Sequence, residues 1–430
     1  MPKTQKPLFS RPFLSALMII IPAMVLLLNL TAPDTEYPAP EIRTWETASG
    51  IPVIWLNQYE WTTHDGLEMR VLFNHGYSSD AKLSLSESTF DLLLRDTLPL
   101  STTHINERLN PLAANVSYKI QSNKSELSIS IDNRPQLLKP SLDFLIDWLP
   151  APTFKPRTFA NWQNTHKTQS QRKAQLLDAT YDAAPTSTTF YDSIQLDDIR
   201  NTYQTLTQKI DTIIIVGSLS NVEEMQLFTN TMTASFSAVN NTPHKQANTL
   251  PSLQKNAGEA LVESYGSFAI APLIQPKEWF SLQFWTTHFL QAINAENAAN
   301  HIELHIEAAQ SSPWVWWRIM HAPNVLQSAH SHKMPTEQYY SQSILEQLTV
   351  DEDQFNDSLE IFQQRTLLQA TQTAWWANIA SQVTQGDTKT LQNWINQYGI
   401  ELSEFSLKIY EQQRNTFLQT NPLHEVQVHQ

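Results

Sequence analysis

The chain has 430 residues, 28 basic and 42 acidic, for a formal net charge of -14; 41% of them are hydrophobic, and there is no cysteine. That length allows two ordinary domains with full cores, the acidity argues against a nucleic-acid backbone as partner, and the missing thiols exclude disulfides, zinc knuckles, iron–sulfur clusters and a cysteine nucleophile. Glycine numbers only 8, and no GxGxxG, GxxxxGK[ST] or GxSxG occurs, so the glycine-dependent phosphate cradles and the nucleophile elbow are missing.

Lys3, Lys6 and Arg11 precede a run without charge from Pro12 to Pro33. As a helix, Phe13 to Leu30 would measure about 27 Å, close to the roughly 30 Å hydrocarbon core of a bilayer. Positive charge before the run and Asp34 and Glu36 after it predict a cytoplasmic N-terminus with the body exported across the inner membrane, facing a periplasm. Residues 1–33 are read as tail plus membrane anchor or signal peptide, and 34–46 as an extended spacer. Several Asn-x-Ser/Thr sites leave a eukaryotic lumen open.

From residue 47 the chain is predicted to be α+β, with two tandem domains at 47–238 and 258–430 joined by a linker at 239–257. Each domain is read as an antiparallel sheet covered by helices. "IPVIWL" (51–56) and "LEMRVLFN" (67–74) read as strands, and "KLSLSESTFDLLLRD" (82–96) reads as a helix. Ser84 and Glu87 match a capping box, and Asp91 and Arg95 match a helix-surface ion pair. A short helix near Ser101 is expected next. "ANVSYKIQ" and "SELSISID" then form a hairpin whose Glu126, Ser128 and Ser130 are expected on a wet face. Helices at 135–149 and 155–182 lead to a buried strand, "DTIIIVGS", and to a helix capped by Ser220 and Glu223. In the second half "ALVESY" and "SFAIAP" read as two strands, 277–308 as helical, and "WVWWRIM" and "NVLQSAH" as strands. Helices fill 335–418, one opening at Thr349 and Glu352.

"TASGIPVIWL", "VLFNHGYSSD", "LLKPSLDFLIDWLPAPTFKPRTFANW" and "YQTLTQKIDTIIIVGSLSNVEEM" occur in this order. In that order and spacing they resemble the pitrilysin/insulinase family of zinc peptidases. Members of that family bind zinc through an inverted HxxEH motif and a distant glutamate, the motif's own glutamate activating water. Laid on this chain, the three motif positions fall on Glu87, Phe90 and Asp91. Trp162 or Asn161 stands nearest the third ligand, and no acid occurs between Pro150 and Leu177. The resemblance therefore implies a vacated metal site, no catalytic residues and no cofactor. The family's substrate-holding arginine and tyrosine map to Glu307 and Trp314, with Arg318 close by. In the family, peptides add a strand to a sheet edge; the corresponding edge here is Asn115, Val116, Ser117 and Tyr118. The resemblance further implies a non-catalytic subunit partnered with an active zinc peptidase of the same type. The alternatives are a stand-alone binding or scaffold protein, or a metal-dependent hydrolase.

The last alternative rests on "HIELH". As a helix it would present His301 and His305 on one face with Glu303 turned away, and His321, His330 or His332 could add a ligand. A solvated helix face is the duller reading. Trp314, Trp316, Trp317, Trp375 and Trp376 could stack a ligand, but packing is their commoner use. The alternation in "PWVWWRIM" puts Trp314 and Trp316 on one face and Trp317 on the other, and at least one face is expected to meet another domain or chain.

Overall fold

The computed structural model describes residues 39–429 apart from 59–60, 62–65, 75–79, 96–97, 99–102, 122–123, 166–170, 182–192, 220, 240–246, 256–260, 296–298, 309–311, 322–349, 385–387 and 420–421. The anchor segment, "NVLQSAH" and the capping residues Ser220 and Thr349 lie outside the described residues. No helix among the described residues is long and apolar enough to cross a membrane.

The first half contributes strands β1 (Glu41–Glu46), β2 (Pro52–Asn57) and β3 (Gly66–Asn74), then helices α1 (Asp80–Leu93) and α2 (Ile105–Leu109). The hairpin β4 (Asn115–Ile120) and β5 (Lys124–Asp132) follows. Next come helices α3 (Pro135–Trp148), α4 (Pro156–Thr165), α5 (Gln171–Tyr181) and α6 (Leu196–Thr207), strand β6 (Ile210–Val216) and helix α7 (Val222–Met232). The second half runs β7 (Ser252–Lys255), β8 (Leu261–Ala269), α8 (Pro276–Ala295), β9 (Ala299–Glu307) and β10 (Trp314–His321). It closes with α9 (Glu352–Ala370), α10 (Thr373–Val383), α11 (Thr388–Ser403), α12 (Leu407–Gln419) and β11 (His424–His429).

The α+β class is borne out. One sheet has the order β1-β2-β6-β3-β5-β4 and the other β7-β11-β8-β10-β9. Strand for strand, β7-β11-β8-β10-β9 repeats β2-β6-β3-β5-β4. In both, a strand arriving after the helices inserts parallel to the first strand and antiparallel to the next. Alternation decides the faces. Leu67, Met69, Val71 and Phe73 of β3 join Leu127, Ile129 and Ile131 of β5 in the first core.

Several expectations are corrected. The spacer at 34–46 ends in a strand, because Glu41–Glu46 pairs with β2. The linker at 239–257 contains β7, which pairs with the C-terminal strand. Helix α1 starts at Asp80, so Ser84 lies in its interior and its carbonyl accepts the Ser88 hydroxyl at 2.7 Å. α7 and α9 are capped one and two residues later than expected, by the side chains of Asn221 and Asp351. "ALVESY" and "SFAIAP" are one strand running through Gly266. A Cβ there would lie 2.3 Å from the ring of Trp317, so the glycine makes room for the indole opposite it in register.

The expected wet face of β5 is largely covered. α10, from the second half, lies on β3 and β6. Beneath it Arg70 is held by Glu68 at 2.7 Å and by Glu126 at 3.0 Å, all three buried. Ser130 donates to Glu68 at 2.7 Å and Ser128 to Glu126 at 2.8 Å. Buried charge survives when it is paired and hydrogen-bonded in this way. The exchange is mutual, since α5 of the first half lies on β8 and β11 of the second.

Gly266→Ala should lower the thermal midpoint by several degrees, the signature of about 1–3 kcal/mol of overpacking, read by calorimetry. Buried His321 and His424 should make stability acid-sensitive. Burial pushes both imidazoles down to about 4, His429 adding to the effect at His321. The unfolded chain takes up these protons below about pH 6.5 and the folded chain only near pH 4. Stability is therefore full above pH 6.5 and falls as pH drops through that window, by on the order of 3 kcal/mol per histidine. Denaturant titrations at pH 7.5 and 4.5 measure the loss, and His424→Gln should reduce it.

Candidate functional site

Helix α1 places Glu87, Phe90 and Asp91, where the resemblance sets the metal motif, against β4 and α4. Phe90 is fully buried, its ring 5.3 Å from Phe73 and 5.9 Å from Tyr118 between centroids. A phenyl ring offers no lone pair to a cation. Glu87, one turn earlier, is half-buried. Asp91 accepts the Trp162 indole N–H at 2.7 Å and lies 3.5 Å from the Arg95 guanidinium, the helix-surface pair expected from the sequence. Trp162 itself is buried, while its neighbour Asn161 is exposed. The position nearest the distant ligand and the last motif position thus touch each other directly, through a carboxylate and an indole.

The substrate-holding positions tell a similar story. Glu307 ends β9 and Trp314 begins β10, opposite each other in register. The Trp314 indole donates to Glu307 at 2.9 Å, the Trp316 indole at 3.1 Å, and the Lys173 ammonium of α5 lies 2.7 Å away. Burial alone would push the Glu307 carboxyl up, but Lys173 and the Trp314 N–H hold it below the usual range. Lys173 also donates to the carbonyl of Ile120 at 3.2 Å and sits 5.2 Å from the Trp316 ring. Nothing in the sequence singled out Lys173, because its partners lie more than a hundred residues away or on a strand end.

The "HIELH" stretch is a strand, not a helix, so His301, Glu303 and His305 all project from one face of β9. Glu303 does not turn away from the histidines. Its carboxylate meets His301 at 3.1 Å and the Arg318 guanidinium at 3.4 Å, and Arg318 reaches Glu263 at 2.7 Å. The cation here is Arg318. His305 stacks on Trp316 at 4.3 Å, and His321 is buried against the Ser264 hydroxyl at 3.0 Å. His330 and His332 lie outside the described residues. Among the described residues, no three histidines and acids are grouped to hold a metal ion.

The tryptophan faces fall as the alternation predicts. Trp314 and Trp316 pack with Leu83, Leu176, Leu177 and Tyr181 of the first half, while Trp317 packs against Phe268 and Phe289 on the other side. Trp376 is buried with its N–H on the Ala370 carbonyl at 2.8 Å, and Trp375 meets it edge-on.

β4 is an edge strand among the described residues, with Asn115 and Ser117 exposed, Val116 buried and Tyr118 half-buried. Its edge is already in use. The Asn106 amide accepts the Val116 N–H and donates to the Val116 carbonyl, both at 2.8 Å, as a neighbouring strand would. Lys173 takes the carbonyl of Ile120.

The sequence matches no family model and no curated protein. Solved structures match along nearly the whole chain. The inactive domain of a peptidase M16 from Pseudomonas fluorescens is 13% identical with a TM-score of 0.62, over 90% of this chain and 98% of that one. A protease from Helicobacter pylori is 12% identical with a TM-score of 0.63, over 91% and 100%. The periplasmic protease PqqL from Escherichia coli is 13% identical with a TM-score of 0.62, and this chain spans 47% of it. The fold is that of the insulinase-type (M16) peptidases, in a form without the zinc motif.

Lys173→Met should cost about 3–5 kcal/mol, because it leaves the Glu307 charge buried without its cation. Trp162→Phe, which removes one donor from Asp91, should cost only about 1–2 kcal/mol. Urea unfolding followed by tryptophan fluorescence ranks the two.

Proposed function

We propose that this chain is a catalytically inactive homologue of the insulinase-type peptidases. It is exported, held at the inner membrane by its N-terminal segment, and acts as the non-catalytic subunit beside an active zinc peptidase of the same fold. The observation that carries the reading is the state of the metal-motif positions. Phe90 has no donor atom and is sealed between two rings, and of the two carboxylates at the other positions Asp91 is spent on Trp162 and Arg95. The solved P. fluorescens neighbour is itself described as an inactive domain, which agrees with this reading. Glu307, which stands where the resemblance sets the substrate-holding arginine, supports it too, being already neutralised by Lys173. In this role the chain supplies a wall of the peptide chamber. A peptide that pairs with Asn115–Tyr118 has to displace Asn106 from Val116.

The purified full-length chain should hydrolyse no unstructured peptide, with or without added zinc, and should carry less than about a tenth of an equivalent of zinc by elemental analysis. Affinity capture from solubilised membranes should recover a homologue bearing HxxEH. Chelator-sensitive cleavage by the purified chain would overturn the inactive reading. Capture that repeatedly recovers no such homologue favours the stand-alone scaffold instead.

A further inference from the structure

The seven residues His301–Glu307 read HIELHIE. Reversed about Leu304, the run becomes its own complement, with His301 set against Glu307, Ile302 against Ile306, Glu303 against His305, and Leu304 against itself. These residues form most of β9, and β9 is an edge of its sheet among the described residues. Side by side and antiparallel, two copies of this strand would place an imidazole against a carboxylate, able to hydrogen-bond, or a matching apolar residue at every cross-strand position.

The other described edges lack this property. β1, EIRTWE, would set Glu41 against Glu46 of a second copy. β4, NVSYKI, would set Lys119 against Val116, and its edge is taken at Val116 by Asn106. β7 has only four residues, SLQK, with no charge to match Lys255.

We propose that β9 is a homodimer contact, in which two copies pair antiparallel about a two-fold axis through Leu304 and join their second sheets into one. Such an interface is isologous, so self-complementarity is what it requires. The inner imidazole and carboxylate are in place for it. His305 is exposed and lies flat on Trp316, and Glu303 is held by Arg318 within the same sheet. Ile302, Leu304 and Ile306 alternate onto the other face and are each only half-buried in the single chain, leaving apolar surface for a second strand to cover. The outer pair adds less. Glu307 is already balanced by Lys173, so His301 of the second copy meets a satisfied carboxylate rather than a bare one.

The absence of cysteine gives a register-specific test on the full-length chain, purified in mild detergent. Directly opposed residues of an antiparallel pair have Cα atoms about 4.5–5.5 Å apart, inside the roughly 4.4–6.8 Å that a disulfide spans. Under mild oxidation Leu304→Cys should form a reducible dimer. Ile302→Cys alone should not, because two copies of that position lie about 13 Å apart along the strand, yet a mixture of Ile302→Cys and Ile306→Cys should cross-link. In sedimentation experiments Leu304→Lys, which sets two ammonium groups on the axis, should weaken self-association at least tenfold while leaving the circular dichroism unchanged. Leu304→Cys cross-linking no faster than Ile302→Cys, or Leu304→Lys associating like the unmodified chain, would overturn the proposal. Neither result bears on whether the chain is a dead peptidase.

Discussion

A single buried carboxylate ties the halves of this molecule together. Glu307 sits at the end of an edge strand in the second sheet, yet the cation that makes its burial tolerable, Lys173, comes from a helix of the first half. Without that ammonium the carboxylate would face a desolvation penalty of several kcal/mol, offset by two indole N–H groups and the charge of Lys119. Lys173 is fixed in turn by the carbonyl of Ile120 and by the Trp316 ring. Ile120 packs against both hydrophobic clusters, so hairpin, helix and second sheet meet at one ion pair. Exchange of α5 for α10 across the two sheets does the rest. Each half lays a helix on the other's sheet, over a polar face on β3 and an apolar one on β8 and β10.

The two places where the resemblance sets the family's chemistry are held by the same device. At the metal positions a carboxylate accepts an indole N–H, Asp91 from Trp162. At the substrate-holding positions another carboxylate does so, Glu307 from Trp314. An indole fills a large volume and brings a single donor, so it can occupy the space of lost ligands and still satisfy the acid left behind. A vacated polar pocket that kept its acids without donors would be costly to hold dry.

Much of this was legible in the sequence, and what was not has identifiable causes. Alternation in "SELSISID" and "PWVWWRIM" gave strands and faces directly, because one face of each is strongly apolar. Motif order set the expected metal positions on Glu87, Phe90 and Asp91. "HIELH" was misread because histidines four apart share a face on a helix and also on a strand, and the leucine and glutamates favour helix. The alternating isoleucines were the signal that tells the two apart. The C-terminal "HEVQVH" went unseen as a strand because its partners, β7 and β8, lie more than 150 residues away. Covering of the polar face of β5 by α10 was equally invisible. Solvent and a partner helix bearing complementary groups leave the same alternating pattern in a strand.

An open strand edge recruits other strands, and folded proteins deal with each one explicitly. This chain does so by different means at different edges. β1 is short and carries Glu41, Arg43 and Glu46 on an exposed surface. β4 is sealed from within, Asn106 standing in for a neighbouring backbone at Val116 and Lys173 taking the carbonyl at Ile120. β9 has neither device. Its isoleucines and leucine stay half-buried although α8 touches the strand, and imidazoles and carboxylates alternate along the other face. Random charge on an edge repels a second copy at some register. A run that matches itself at every position in one register does not, and that separates an edge defended against pairing from one built to accept it.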